Sequence, residues 1–414
     1  MTEVYHVSDR ALDHRGFRLL LAVIACTTLG SQCIVFLTGF QVAKLYPTEP
    51  LYIGYLGLVQ AIPALSLALV GGHAADLLNR KHLLMATIAV QSLGAGILIW
   101  ASLFAGENIL MWIYPAMFLM GLARGFAAPT IPTLEATLVP PSATVQAATL
   151  ATGVWQACAV GAPIIAGALI VQFGLFIAFV VTLVFLGLAA FFLVWIQPPE
   201  RIFPTERGPI LESIFEGVRF VFSTPIMWSS MALDLFAVLF GGAIAMLPLF
   251  AMHVLHTDPI GLSYLAASPM VGALLSSLVC TRYPPKKYAG PILLSSVFGF
   301  GICMIVFALS TNLLLSCAAL FLSGLLDGIS VVIRKSIMRL YSPDHMRGRV
   351  AAVASIFIGT SNEIGELESG VAAHYLGLTR SVWLGGVVTL MVVAAITVKS
   401  PQLRRLDLRT VLIK

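Results

Sequence analysis

Apolar residues run along this chain in long unbroken blocks, without the period-two alternation of a half-buried strand. A hydrocarbon core of roughly 30 Å is crossed at about 1.5 Å per residue, so about 20 apolar residues make one helical crossing. Twelve blocks reach that length: approximately 18–45, 52–75, 83–105, 109–131, 143–171, 173–197, 227–255, 259–281, 288–309, 312–340, 346–374 and 378–399. Continuous blocks predict helices, whereas barrel strands would alternate over about ten residues. The first block has no small-residue cleavage site after it and reads as a retained span.

One long polar interruption, Gln197 to Thr224, follows the sixth block and begins rich in Pro and charge. It divides the chain into an N-terminal six-helix bundle (1–197), a linker (198–226) and a C-terminal six-helix bundle with a tail (227–414). Within the linker, Ile210, Ile214, Val218, Val221 and Phe222 recur at helical spacing opposite Glu212, Glu216 and Arg219, which predicts an interfacial helix. The halves also repeat. At an offset of 203, Phe118–Gly125 (FLMGLARG) falls on Phe321–Gly328 (FLSGLLDG), Pro140 on Pro343, Ala148 on Ala351, Ala151 on Ala354 and Gly167 on Gly370. An offset of 206 sets Pro63 on Pro269, Arg80 on Lys286 and Lys81 on Lys287. The predicted fold class is therefore an all-α membrane protein, twelve transmembrane helices in two pseudo-symmetric six-helix bundles.

Composition agrees with lipid as the main solvent: of 414 residues, 59% are hydrophobic and 10% charged, against about 25% charged in soluble domains. Placement of the 24 Lys and Arg decides orientation. Arg10, Arg15, Arg18, the Arg80–Lys81 pair, the linker arginines, Arg282, Lys286, Lys287, Arg334 to Arg349 and the tail put 21 of them on one side. Lys44 and Arg380 lie on the other, and Arg124 sits inside a span. Both termini are expected in the cytoplasm, with the chain multi-pass in the cell inner membrane. The basic residues form no long run with interleaved aromatics, so nucleic acid is not an expected partner.

All six cysteines fall inside spans and never in CxxC spacing, which gives neither a disulfide framework nor a metal site. GxxxxGK[ST], HExxH and GxSxG are absent from the sequence, so nucleotide-driven pumping and the common hydrolase chemistries lack their parts and no cofactor is expected.

Gly72-His-Ala-Ala-Asp76-Leu-Leu-Asn79-Arg80-Lys81 resembles the loop motif between spans two and three of the major facilitator superfamily, G-x-x-x-D-R-x-G-R-K/R. Leu77 stands where that motif has Arg, and Asn79 where it has Gly; Asn tolerates left-handed backbone angles nearly as Gly does. Gly153, followed by Gly161, Pro163 and Gly167, is similar to the exporter-associated motif of the same superfamily, where small residues let helices approach closely and Pro bends the helix. Segments around Leu58–Pro63, Asp327–Arg334, Ser342–Arg349 and Ser361–Gly370 resemble the branch that contains the enterobactin exporter and related drug efflux proteins. The resemblance implies the major facilitator fold and efflux of a siderophore or drug-like compound. It also implies gating at Gly72, Asp76, Arg80 and Lys81.

Charges inside spans cost about 2.5–3.5 kcal/mol each on insertion scales and mark candidate function. Arg124 and Asp327 occupy the same place in the two repeats. Asp327 is expected to carry or sense a proton, and Arg124 to hold it ionised or to bind an anionic group; a permanent ion pair between the halves is the plainer alternative. Asp234 matches Ser31 at the same offset and is either a cavity carboxylate or an interfacial residue. Glu363 and Glu366 share one face of span eleven, suited to proton relay or to helix-to-helix hydrogen bonding. Glu135 is expected to pair with basic residues of a neighbouring span, and Arg334 to anchor its helix at the interface. Phe36, Trp155 and Gln156 are candidate pocket residues.

Together these features predict a monomeric secondary transporter, not an enzyme, with a small-molecule substrate and protons as coupling ion, exporting an amphipathic organic molecule by alternating access. Lysolipid or lipid movement and import of a small organic anion are the alternatives within transport. A sensor or scaffold that has kept the fold is the alternative outside it.

Overall fold

The computed structural model describes residues 10–197, 210–240, 244–343 and 346–411, with the side chain of Asp76 among a few outside the description. Linker residues 198–209, including Arg201 and Arg207, also lie outside the described residues.

The described chain is helical: α1 (Arg15–Leu45), α2 (Pro50–Ser66), α3 (Ala68–Leu77), α4 (Arg80–Phe104), α5 (Leu110–Leu138), α6 (Thr144–Val194) and α7 (Ile210–Ser223). It continues with α8 (Pro225–Phe240), α9 (Leu247–His253), α10 (Pro259–Arg282), α11 (Ala289–Leu309), α12 (Leu313–Tyr341), α13 (Arg347–Leu376) and α14 (Leu378–Lys399). Twelve crossings follow once three local breaks are read correctly. α2 and α3 are one crossing, interrupted at Leu67. α6 contains two, separated by non-helical backbone at Gly174. α8 and α9 together make the seventh, and α13, with Glu363, Glu366 and Glu368 in its second half, is the least apolar.

The repeat is carried down to the helix ends. α5 and α12 are both 29 residues and begin 203 apart. α6 and α13 begin 203 apart as well, and their closing breaks coincide: Gly174 (φ 79°, ψ 170°) and Gly377 (φ 85°, ψ 153°). A side chain at either site would sit in a backbone region that L-residues avoid, so glycine is what lets one apolar block of more than 50 residues turn back as two helices.

Close helix crossings repeat too. A Cβ on Gly121 of α5 would lie 2.0 Å from the Gln60 carbonyl oxygen of α2, and one on Gly324 of α12 would lie 1.9 Å from the Pro269 carbonyl oxygen of α10. Pro63 and Pro269 interrupt the partner helices at these crossings. Helix starts are capped by side chains: Asn79 accepts from the amides of Lys81 and His82, Asp258 from Gly261, and Asn312 from Leu314 and Leu315. Asn79 has φ −66°, so its part in the loop is a helix cap and not the left-handed turn expected from its place in the motif.

The chain forms two compact units. The first holds residues 1–41 and 59–204, the second residues 42–58 and 205–414. In the second, Gly54 of α2 faces Gly370 of α13, and Nδ1 of His374 lies 3.6 Å from Oε2 of Glu49. Its core gathers Met227 and Leu233 of α8, Leu293 of α11, Ile333 and Ile337 of α12, and Leu403 and Leu406 beyond α14. Val221 of α7 belongs to that core, while Phe215 of the same helix is exposed.

Candidate functional site

Each unit encloses a polar site, and the two are built at repeated positions. In the first unit, α1, α2, α4, α5 and α6 surround a cavity of about 520 Å³. Thr27, Thr28, Ser31 and Gln32 line it from α1, Gln60 from α2, Thr87 and Gln91 from α4, Arg124 and Glu135 from α5, and Thr152 and Trp155 from α6. A volume of roughly 300–1,000 Å³ suits a drug-sized molecule.

In the second unit, Asp234, Val238, Val297, Asp327, Ser330 and Arg334 line a space of about 10 Å³, room for about one water. Subtracting the offsets of 203, or 206 for Val297, gives Ser31, Val35, Gln91, Arg124, Ala127 and Ile131, all of which line the first cavity, whereas the counterparts of the other two lining residues, Ala237 and Phe300, do not. These are one site in two copies. What closes the second copy is charge. Arg334 of α12 donates through Nη1 to Oδ1 of Asp234 on α8, and its Nη2 lies 3.5 Å from Oδ1 of Asp327, seven residues back on its own helix.

The arginine and Asp234 side chains are each 8% exposed, whereas that of Asp327 is 44% exposed. Arg334 is thus not the interfacial anchor expected from its position; it is buried and shared between two carboxylates. Asp234 is likewise a buried partner and not an interfacial residue. One guanidinium fully neutralises one carboxylate, so the cluster carries a net negative charge until a proton joins it. Arg334 Nε and Ser330 Oγ are buried without a hydrogen-bond partner among the described residues.

The first copy is arranged differently. Arg124 replaces Asp327, and Ile131 stands where Arg334 is. Four residues beyond Ile131, Glu135 lines the cavity at 7% exposure. Among the described residues it has neither a hydrogen bond nor an ion pair, so the expected pairing with a neighbouring span is not found. Its helical neighbour Thr133 supplies a carbonyl to Arg80 Nη1 at 2.7 Å, and Arg80 Nε donates to the Ala75 carbonyl at 3.3 Å. Lys81 Nζ donates to the Val194 carbonyl at 2.7 Å. The two motif cations therefore bind backbone carbonyls near the ends of α3 and α6 and on α5, where helix dipoles favour positive charge. A Cβ on Gly72 would meet nothing within 4 Å.

Of the aromatic and amide pocket candidates, Trp155 lines the cavity; Phe36 and Gln156 do not, although the positions just before them, Val35 and Trp155, do. In the exporter-type segment, Gly153 and Gly161 would admit a Cβ without contact, so no helix approaches there. Close packing falls instead at Ala162, whose carbonyl accepts from Cys33 Sγ at 3.3 Å, and at the buried Pro163 and Gly167. The backbone break of α6 is at Gly174, eleven residues past Pro163.

Glu363 is buried in α13, and Glu366 reaches Gly57 of α2, where a Cβ would meet its Oε2. Among the described residues no group of three or more His, Cys, Asp or Glu side chains is placed to hold a metal ion.

The family model of the Major Facilitator Superfamily matches residues 20–366. The chain belongs to that superfamily. As a facilitator it is a multi-pass membrane protein of a transporter family, which is not in general a family of enzymes. It is 25% identical over 409 residues to the multidrug efflux pump Tap of Mycolicibacterium fortuitum, covering 94% of this chain and 97% of that protein.

Solved structures share the fold at low identity. A bacterial homologue of the human lysosomal transporter Spinster, inward-facing and unoccupied, superposes with a TM-score of 0.69 at 17% identity, covering 96% of this chain and 97% of that one. A D-xylose–proton symporter gives 0.74 at 12% identity, covering 95% and 100%.

Proposed function

We propose that this facilitator is a proton-coupled exporter, an antiporter that moves an amphipathic, drug-like organic molecule out of the cell by alternating access. It would act as a monomer in the inner membrane, with both termini on the cytoplasmic side that carries the basic loops. The observation that carries the coupling is the buried sharing of Arg334 between Asp234 and Asp327. Proton binding at the more exposed Asp327 takes the cluster from net negative to neutral and leaves Arg334 to Asp234. Proton loss draws the guanidinium back between the two acids. Such an exchange changes the charge buried between α8 and α12, which biases a two-state helix packing.

Arg124, at the repeat position of Asp327, would contact substrate, and Trp155 would supply apolar surface. Glu363 and Glu366 would extend the proton path along α13. Arg80 and Lys81, with Asp76, would hold the basic-loop ends of the helices closed until transport opens them. Similarity to a multidrug efflux pump favours a drug-like cargo over a siderophore.

Everted membrane vesicles under an imposed proton gradient, offered cationic dyes, siderophores and lysolipids, test this reading. Gradient-dependent accumulation of a dye, lost in Asp327→Asn, is the expected result. Accumulation indifferent to both the gradient and the substitution would refute the antiport.

A further inference from the structure

We infer that the loop between α10 and α11 and the chain end beyond α14 form one basic surface, which docks on the anionic phospholipid headgroups of the leaflet beside it. The inference goes beyond the transport reading and does not depend on it.

The chain end is folded back onto the loop. Leu403, Leu406 and Leu408 are buried in the same core as Met227 of α8, Leu293 of α11 and Ile337 of α12. The Gly290 amide donates to the Leu406 carbonyl at 3.1 Å, and the Leu408 amide donates to the Lys286 carbonyl at 3.0 Å. A Cβ on Gly290 would run into the Leu403 carbonyl oxygen, so glycine at this place is what lets the two segments lie so close.

That fold gathers like charge. Residues 282–290 and 400–411 together hold six cations, Arg282, Lys286, Lys287, Arg404, Arg405 and Arg409, against one acid, Asp407. The acid is taken by Arg409, whose Nη2 donates to Oδ2 at 2.7 Å and whose Nε donates to Oδ1 at 3.1 Å. These bonds hold the Asp407 carboxyl below the usual carboxylate range, and the charge of Lys287 across the loop adds to the effect. Lys286, Lys287, Arg404 and Arg405 are exposed and make no side-chain hydrogen bond or ion pair among the described residues.

The first unit treats its matching pair otherwise. Arg80 and Lys81, at the repeat positions of Lys286 and Lys287, donate to the Ala75, Thr133 and Val194 carbonyls. In the second unit, cations without such acceptors are held together against their mutual repulsion, a cost that an anionic surface offsets.

Depth selects lipid as that surface. Arg282 closes α10, Ala289 opens α11 and Lys399 closes α14, so the cations begin where three spans end. Tyr283 and Tyr288, 73% and 58% exposed, stand beside them as aromatic side chains do at a membrane–water interface. Clusters of about four to eight Lys and Arg at the ends of spans attract anionic headgroups.

The test titrates the full chain in neutral detergent with dioleoyl phosphatidylglycerol and, separately, with dioleoyl phosphatidylcholine, and follows bound lipid by native mass spectrometry. Wild type should bind the first phosphatidylglycerol at least about tenfold more tightly than phosphatidylcholine. Lys286→Gln with Lys287→Gln, and Arg404→Gln with Arg405→Gln, should each lower phosphatidylglycerol affinity by about tenfold or more, at roughly fivefold per cation, and leave phosphatidylcholine unchanged. Gly290→Ala, which changes no charge but forces the chain end off the loop, should lower it as well.

Equal affinity for the two lipids, or phosphatidylglycerol binding that either Gln pair leaves untouched, would overturn the inference. So would displacement of the lipid by an equal concentration of glycerol 3-phosphate, which would mark a site for soluble phosphate. If Gly290→Ala does not fold, the two Gln pairs, made at exposed positions, still decide. Lipid binding is read without any gradient or cargo, so failure of the antiport reading would leave this result standing.

Discussion

The two copies of one site have been put to opposite uses. Around Asp327 the second unit has filled its copy with an arginine and two acids until about one water's space remains. Around Arg124 the first unit has kept a drug-sized cavity whose buried acid lacks a protein counter-ion among the described residues. The backbone that frames them is nearly the same, down to equal helix lengths and matched glycine breaks. A handful of side chains at repeated positions, Ile131 against Arg334 and Glu135 against Met338 above all, decides which copy is open. In the reading proposed here, the closed copy handles the proton and the open copy handles the cargo.

Substitutions at matched positions test that contrast. The largest effect is expected from Arg334→Met, which strands the buried carboxylate of Asp234 beside that of Asp327 and should cost about 3–5 kcal/mol in thermal unfolding in detergent. Ile131→Met, its mate in the first unit, should stay within about 1.5 kcal/mol of wild type. Equal losses at the two positions would mean that the charge cluster is not what sets the units apart.

Next in size are the shared crossings. Gly121→Ala and Gly324→Ala push a methyl group into a backbone carbonyl and should each cost about 1–3 kcal/mol. Gly153→Ala and Gly161→Ala, which meet nothing, should be neutral or stabilising by up to about 1 kcal/mol. If the latter pair destabilised the protein more than the former, the placement of close helix contacts would be wrong.

Gly174→Ala and Gly377→Ala force L-residues into left-handed backbone and should cost about 1–2 kcal/mol each, alike in both units. A large difference between them would show that only one of the two breaks is strained. The smallest expected effect is at the start of α4: Asn79→Ala removes two capping bonds and should cost about 1 kcal/mol, while Asn79→Gly should cost a few tenths. Equal cost for Ala and Gly would contradict the cap.

Much of the frame was legible in the sequence because it depends on quantities that a chain displays locally. Length of apolar run, loop charge and a constant repeat offset located the crossings and set Arg124 beside Asp327 in register. The contents of the site were harder to read, since helical spacing gives a residue's face but not what stands opposite. Arg334 lies among basic residues near a helix end, and only the approach of Asp234 from α8 makes it a buried bridge. Carrying the 203 offset on to Ile131 would have flagged it as a charge with no counterpart.

Glu135 failed in the other direction. Basic residues were available nearby, but Arg80 is occupied by the Ala75 and Thr133 carbonyls. Gly153 and Gly161 matched a motif whose meaning is close packing, and here they face open space. Motif identity did not carry the neighbour with it. Trp155 was found, while Phe36 and Gln156 point away by the angle that separates adjacent positions on one helix.

The most direct test of a divided site follows both ions in one experiment. Proteoliposomes containing a trapped pH dye and supplied with tetraphenylphosphonium report proton and cation movement together. Opposed fluxes are expected in wild type. Intact cation binding without gradient-driven movement is expected in Asp327→Asn. Opposed fluxes that survive Asp327→Asn, or loss of cation binding in that variant, would contradict the division.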